Sequence, residues 1–215
     1  YNVMQFDTLL SLVGDEPLFD SHFLLAGDVD PKAIRVQLSR WVKAGKIYQL
    51  RRGLYAIAPP YQRRQPHPFL VANQLQRASY VSLQSALSFY GLIPDVVAVT
   101  TSVTAGRPKR MQTPLGSFEY HHIKTELLFG YHMTAFGEQN ALVATPEKAL
   151  LDLIYLQPGG DSKAYLEELR LQNTEKLDRD TLRKQLAKFN TPKMTNAVKG
   201  ILQVLSGDSE EFEDL

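Results

Sequence analysis

Apolar and polar residues in the N-terminal part of the chain follow a pattern that predicts three helices. Apolar side chains recur at helical spacing from Asn2 to Val13, and Gly14 then ends the pattern. Asp20 or Ser21 can cap a short second helix that ends near Gly27. The third helix, which follows directly, carries the clearest signals.

This third helix is predicted to begin at Asp30-Pro31 and to run to about Ala44. Aspartate caps a helix through its side chain, and proline at the first helical position loses no hydrogen bond. Gly45 can then adopt the left-handed conformation that ends many helices. One side is apolar and is expected to pack inward, through Ile34, Leu38, Trp41 and Val42. The opposite side is mostly cationic or hydroxylated, and with Arg35 on its flank it carries Lys32, Val36, Ser39, Arg40 and Lys43.

A β-hairpin is predicted after the third helix. Two β-rich runs, residues 46–51 and 54–58, flank Arg52-Gly53, and the glycine supplies the positive φ that a tight reversal needs. Three helices followed by a hairpin is the order of a winged helix-turn-helix, whose third helix enters the major groove of DNA. Arg51 and Arg52 lie at the tip of this hairpin and are therefore the predicted wing contacts.

Residues 59–68 are rich in proline and contain Arg63 and Arg64. Such sequence is stiff and extended, which predicts a linker between domains. The two arginines fit either insertion into a narrow minor groove or simple solvation of the linker.

Beyond the linker, helical and β-rich segments alternate. Helices are predicted over 69–76, 83–90, 146–156, 162–172, 178–189 and 193–206. Strands are predicted over 96–103, 109–113, 117–123, 130–133 and 141–143. The fold class is therefore α+β, with a winged helix-turn-helix over 1–58, the linker over 59–68 and a larger mixed α/β domain that ends in helices over 69–206. An acidic, disordered tail is expected over 207–215.

Charge is sorted along the chain, although the formal net charge is only +1. Residues 31–94 hold ten lysines and arginines and no acidic residue, whereas the first thirty residues hold six acidic residues and no lysine or arginine. A positive surface attracts polyanions, and phosphate contacts release condensed counterions. A solvated basic face would explain the charge alone, but its position on the predicted winged helix favours DNA. The predicted DNA-binding residues are Lys32, Arg35, Ser39, Arg40, Lys43, Arg51, Arg52, Arg63 and Arg64.

A second basic patch lies at Arg107, Lys109 and Arg110, on a loop that leads into a predicted hairpin. It could hold the DNA backbone beside the winged helix, contact an RNA, meet an acidic partner, or only be solvated. The residues themselves do not separate these alternatives.

No pattern of catalytic or metal-binding residues emerges. The chain has no cysteine and no glycine-rich phosphate loop, and His121 and His122 would point to opposite faces of a strand. Glu119, Lys124 and Glu126 fit no nuclease motif. We therefore predict neither an enzyme nor a cofactor or metal site. No apolar run is long enough to cross a bilayer and no signal peptide is evident, so we expect a cytoplasmic protein without a membrane partner.

Three stretches of the chain together resemble the AbiEi family, the antitoxins of abortive-infection toxin–antitoxin systems. They are Arg-Gly-Leu-Tyr-Ala at 52–56, Tyr-Val-Ser-Leu-Gln-Ser-Ala-Leu at 80–87 with Gly91-Leu92, and Thr-Pro-Glu-Lys-Ala-Leu-Leu-Asp at 145–152. The resemblance extends from about Phe6 to Ser206. It implies a winged helix that binds inverted repeats in its own promoter, and a C-terminal antitoxin domain that counteracts a nucleotidyltransferase-like toxin without needing a stable complex with it. It brings no catalytic residues.

We therefore expect a DNA-binding antitoxin that represses its own phage-defence operon. One alternative is a nuclease-like enzyme that the winged helix directs to nucleic acid. Another is a protein-interaction module whose basic winged helix binds an acidic partner.

Overall fold

The computed structural model describes residues 4–25 and 30–210, with side chains up to Gln203. Within these ranges the protein is α+β, with eight α-helices and two sheets. The N-terminal part contains α1 (Phe6–Val13), β1 (Phe19–Asp20), a 3-10 helix (Ser21–Leu25), α2 (Pro31–Lys43), β2 (Ile47–Arg51) and β3 (Leu54–Ile57). The predicted ends at Asn2 of the first helix and Gly27 of the second lie outside the described residues.

The start of α2 follows from its capping signals, as predicted. The Asp30 side chain accepts a hydrogen bond from the Lys32 amide at 2.9 Å, and Pro31 occupies the first helical position. At the other end Gly45 has a φ of 68°, which an L side chain rarely adopts. The residues that α2 buries include Ile34, Leu38 and Trp41, which confirms the predicted inward face.

The N-terminal strands form a three-stranded antiparallel sheet in the order β1-β3-β2. All four residues of β3 are buried, and they alternate between two cores. Tyr55 and Ile57 belong to a small core that α1 and α2 complete. Leu54 and Ala56 belong instead to the large core of the C-terminal domain. The hairpin therefore packs between the two parts of the protein and does not project freely from them.

The C-terminal domain is built on a six-stranded mixed sheet in the order β6-β7-β5-β4-β9-β8. Its elements are α3 (Pro68–Leu75), β4 (Ser79–Val81), α4 (Leu83–Phe89), β5 (Val99–Thr104), β6 (Lys109–Thr113), β7 (Gly116–His122), a 3-10 helix (Thr125–Leu127), β8 (Tyr131–Phe136), β9 (Gln139–Ala144), α5 (Pro146–Leu156), α6 (Lys163–Glu168), a 3-10 helix (Thr174–Lys176), α7 (Arg179–Leu186) and α8 (Pro192–Glu210). Strand β4 pairs antiparallel with β5 and parallel with β9, and β5 pairs parallel with β7.

Several boundaries differ from the predicted ones. Strand β4 was not predicted, because three residues are too few to establish a period. The helix expected over 162–172 ends at Glu168, and Arg170 and Asn173 both have positive φ, which interrupts helical structure. Helix α8 continues to Glu210, so residues 207–210 of the expected tail are helical, while residues 211–215 lie outside the described residues. In the described ranges, no helix has the length and apolar character needed to cross a bilayer.

The segment over 59–68 is held against both halves of the protein. Tyr61 packs edge-on against Phe6 of α1 with their ring centres 5.0 Å apart. At the other end, the His67 amide donates to Gln139 Oε1 at 2.8 Å, and Gln139 Nε2 donates to the Gln65 carbonyl at 2.9 Å. The segment, called the strap below, is not extended throughout as its prolines predict, because residues 59–61 form a turn in which the Tyr61 and Gln62 amides both donate to the Ala58 carbonyl.

An ion pair lies in the centre of the C-terminal domain. Lys148 and Asp152, one turn apart on α5, are both fully buried and contact each other through Nζ and Oδ1. Asp152 Oδ2 also accepts hydrogen bonds from Tyr80 at 3.0 Å and from Ser82 at 2.8 Å. The Lys148 ammonium lies 4.8 Å from the ring centre of Phe129 and is surrounded by further aromatic rings. Burial raises the pKa of Asp152 and lowers the pKa of Lys148, because each charge leaves water.

We expect Lys148→Met to lower the free energy of unfolding by about 3–5 kcal/mol, because it leaves the Asp152 carboxylate buried without its cation. The double variant Lys148→Met/Asp152→Asn should recover part of this loss, since the amide still accepts from Tyr80 and Ser82 and carries no charge. Urea unfolding measures this free energy for the wild type and for both variants. Lys163→Met, an exposed lysine on α6, is the control and should cost less than about 0.5 kcal/mol. Equal losses in the single and double variants would contradict this account.

The cost of Lys148→Met should also depend on pH. Burial raises the folded-state pKa of Asp152 and the charge of Lys148 opposes that rise, so Lys148→Met should leave Asp152 with a higher folded-state pKa than it has in the wild type. The variant should therefore lose more stability than the wild type as the pH rises from the unfolded-state pKa through this folded-state pKa. Urea unfolding should therefore give a smaller difference between variant and wild type at about pH 4 than at about pH 7. The double variant should lack this dependence.

Candidate nucleic-acid interface

The outer face of α2 carries the predicted cationic residues, and all of them are exposed. The exposed side chains of this face are Lys32, Arg35, Val36, Ser39, Arg40 and Lys43. Among the described residues, no ion pair involves any of its four cations. These charges are therefore available to an external anion. Apolar packing of the inner face fixes which side of the helix they occupy.

Val36 lies in the middle of this basic face with 51% of its surface exposed. An aliphatic side chain between cations contributes nothing to solvation of the surface. In the major groove, the methyl group of thymine offers such a side chain an apolar contact, and hydroxyl groups such as that of Ser39 can bond to base edges. The face thus combines groups suited to phosphates with groups suited to bases.

The two arginines at the hairpin tip have different surroundings. Arg51 is half-buried, with Nε donating to the Gln74 carbonyl at 3.2 Å and Nη1 donating to the Arg52 carbonyl at 3.1 Å. Arg52 is exposed. Gly53 has a φ of 85°, so the chain reverses at this glycine as the sequence predicts. The Gly53 carbonyl also accepts a hydrogen bond from the Ser21 amide at 2.8 Å. The prediction treated both arginines as wing contacts, but the structure uses Arg51 to join the hairpin to α3.

The second basic patch is attached to α3, the same helix that holds this tip. Lys109 begins β6, and its Nζ lies 5.4 Å from the ring centre of Tyr120. The Tyr120 hydroxyl in turn donates to the Ala72 carbonyl in α3 at 2.7 Å. Burial lowers the pKa of Lys109, and the positive charge of Arg51 nearby lowers it further. Residues distant in sequence are therefore neighbours here, which the sequence could not indicate.

Arg63 and Arg64 each contact a carboxylate, and the two carboxylates belong to different halves of the protein. Arg63 lies 3.5 Å from Asp15, which follows α1. Arg64 pairs with Glu138 in the turn between β8 and β9, and only 33% of its side chain is exposed. Arg64 is therefore not simply solvated, and its insertion into a minor groove stays a prediction. Ion pairs this exposed contribute little to the free energy of unfolding, so their main effect is to fix the orientation of the strap.

Sequence reasoning did not single out Arg77, which ends the basic run just beyond α3. It is exposed and lies 3.9 Å from Asp20 Oδ2, while Asp20 also contacts His22 Nδ1 at 2.5 Å. Burial raises the pKa of Asp20, but hydrogen bonds from His22 and the charges of His22 and Arg51 outweigh it and leave the pKa below its usual value. Only the tertiary contact between β1 and the end of α3 brings these groups together.

Potential metal ligands are scattered in the described ranges. No three His, Cys, Asp or Glu residues lie close enough there to share a metal ion. His121 and His122 contact different partners, the Glu119 carboxylate at 3.4 Å and the Gly106 carbonyl at 3.0 Å, as expected of neighbours on a strand.

A scan against models of known protein families finds no match to this chain, and a search of curated proteins finds none either. Its function is therefore proposed from its own residues. They provide an exposed basic helix, an arginine at a hairpin tip, and a second basic patch close to that tip.

The two tip arginines make a matched pair of variants. We expect Arg51→Ala to lower the free energy of unfolding by about 1–3 kcal/mol, because the half-buried Gln74 carbonyl loses its donor. Arg52→Ala should change it by less than about 0.5 kcal/mol. Urea unfolding of both variants tests this, and equal losses would contradict the assignment of Arg51 as a brace between the hairpin and α3.

Proposed function

We propose that this chain binds double-stranded DNA through the outer face of α2. The observation that carries the proposal is the combination of four exposed cations without a described acidic partner on a face that also presents Val36 and Ser39. With 13 residues, α2 is about 20 Å long, which suits a helix lying in the major groove.

The arrangement around α2 supports a winged helix-turn-helix. Helix α1, the 3-10 helix and α2 precede the hairpin, and β1 completes the sheet beside β3. In such a domain the third helix reads the major groove and the hairpin contacts the backbone. Since Arg51 is engaged within the protein, we assign the backbone contact at the hairpin to Arg52, and base recognition to α2.

We further propose that the protein is a cytoplasmic antitoxin that binds inverted repeats in its own promoter and represses its operon. The support is the resemblance to the AbiEi family, carried by three separate stretches. Residues from all three pack together, since Leu54, Tyr80 and Leu150 belong to one core. In this proposal the C-terminal domain counteracts a nucleotidyltransferase-like toxin, with or without a stable contact.

We expect Lys32→Ala/Arg40→Ala to weaken binding to promoter DNA and to flatten its dependence on salt. Each lost phosphate contact should reduce the slope of log affinity against log salt by about 0.9. A fluorescence-anisotropy titration at several salt concentrations measures both effects. The control is Lys163→Ala/Lys199→Gln, which removes the same charge from exposed positions on α6 and α8 and should leave the slope unchanged.

The same titration separates the alternatives. An unchanged slope in the α2 variant would remove this helix from the interface. Absence of DNA binding by the wild type would favour a module that binds an acidic protein. Metal-dependent cleavage of the DNA during the titration would favour a nuclease-like enzyme. Val36→Ser should weaken promoter binding more than binding to unrelated duplex, because a contact with a base edge depends on sequence and a phosphate contact does not.

The antitoxin function needs a separate experiment in cells. Where the adjacent reading frame encodes a nucleotidyltransferase-like protein, its expression should arrest growth, and co-expression of this chain should restore growth. The Lys32→Ala/Arg40→Ala variant should still restore growth when both genes are driven by unrelated promoters, because its C-terminal domain is intact. Failure of the wild-type chain to restore growth would overturn the antitoxin proposal and leave DNA binding untouched.

A further inference from the structure

The hairpin tip has a fixed position relative to the C-terminal sheet. Leu50 and Leu54 on either side of the tip are buried in the large core, and the Arg51 guanidinium bonds to the last turn of α3 through the Gln74 carbonyl. An arm held in this way cannot swing to follow a ligand. Whatever Arg52 contacts must lie where the C-terminal domain places it.

Strand β6 is fixed to the same end of α3. Lys109 pairs with Tyr120 across the β6–β7 ladder, and the Tyr120 hydroxyl reaches the Ala72 carbonyl. The loop before β6 is anchored there too, since the Thr104 hydroxyl donates to the Ala78 carbonyl at 3.2 Å just beyond α3. The basic start of β6 and the basic hairpin tip therefore share one rigid support.

Charge in this region is unbalanced. Arg52 and Arg107 are exposed and Lys109 is half-buried, and within the described part of the chain no ion pair involves any of the three. Arg110 beside them is paired with Glu119 at 3.0 Å. The closest carboxylate at the hairpin end, Asp20, already contacts His22 and Arg77. Like charges held together by the fold repel one another, and a polyanion that bridges them relieves this repulsion.

The position of β6 leaves this region open. It is an edge strand of the six-stranded sheet, and in the described residues it pairs only with β7. The loop before β6 also carries Pro108 between Arg107 and Lys109, and the fixed φ of the proline keeps this segment extended.

We propose that Arg52, Arg107 and Lys109 form one phosphate-binding surface, the edge patch, which contacts the DNA backbone beyond the stretch that α2 covers. This inference rests on the proposed DNA binding and extends it into the C-terminal domain. DNA is favoured over an RNA or an acidic protein because the hairpin tip, which is the wing of the proposed DNA-binding domain, is part of the same rigid surface. The two domains then bind one duplex together.

The test is the variant Arg107→Ala/Lys109→Gln in the full-length chain. Glutamine at 109 keeps the aliphatic stem over Tyr120 and removes the charge. Binding is measured on a promoter duplex just long enough for α2 and on one extended on both sides, at about 50 mM and about 200 mM salt. On the longer duplex, losing two phosphate contacts should reduce the salt slope by about 1.8. This makes the loss of affinity about tenfold larger at the lower salt concentration.

On the short duplex the variant should bind as the wild type does. The control Lys163→Ala/Lys199→Gln should match the wild type on both duplexes. Adding Arg52→Ala should flatten the slope further on the longer duplex only. Urea unfolding of each variant shows whether any loss comes from the fold, and Arg107→Ala alone, at an exposed position, provides a second measurement that does not involve Lys109.

The outcomes separate the two proposals. If the wild type binds neither duplex, the proposed DNA binding fails. If Lys32→Ala/Arg40→Ala weakens binding and the edge-patch variant keeps the wild-type slope on the longer duplex, only the edge patch fails. Equal weakening on both duplexes would also overturn it, because the patch would then lie within the stretch that α2 covers. Loss of affinity for single-stranded RNA with unchanged DNA binding would assign the patch to RNA instead.

Discussion

The burial of one short strand on both of its faces determines how the rest of this protein is arranged. In β3, Tyr55 and Ile57 complete the core beneath α1 and α2, while Leu54 and Ala56 complete the core of the C-terminal sheet. Removing either half would expose apolar residues of the same strand to water. The basic helix and the mixed sheet are therefore packed against opposite faces of one strand.

Features set by local sequence could be predicted. The Asp30 cap, the buried side of α2 and the reversal at Gly53 depend on residues within a few positions of one another, and the structure contains all three. Features set by distant contacts could not. Arg51 and Arg52 are chemically identical neighbours, yet only the approach of α3 decides that one braces the hairpin and the other faces solvent.

The same distinction applies to the candidate interface. Sequence sufficed to place the cations of α2 on one face, because helical geometry fixes their direction. It could not place Lys109 beside the hairpin, since this neighbourhood depends on the pairing of β6 with β7 and on the contact of Tyr120 with α3. From its prolines, the sequence also predicted that the strap is a linker between domains, whereas Tyr61 and His67 pack it against both halves of the protein.

The buried Lys148–Asp152 pair also has a consequence for how α5 can settle on the sheet. Most of this helix is apolar, with Ala149, Leu150, Leu153 and Ile154 among its buried residues, and apolar contacts alone would tolerate a slip of one turn. Such a slip would carry the carboxylate away from the hydroxyls of Tyr80 and Ser82 and the ammonium away from its aromatic surroundings. A shifted register would leave both charges buried without their partners, so the pair favours a single register of this apolar helix on the sheet.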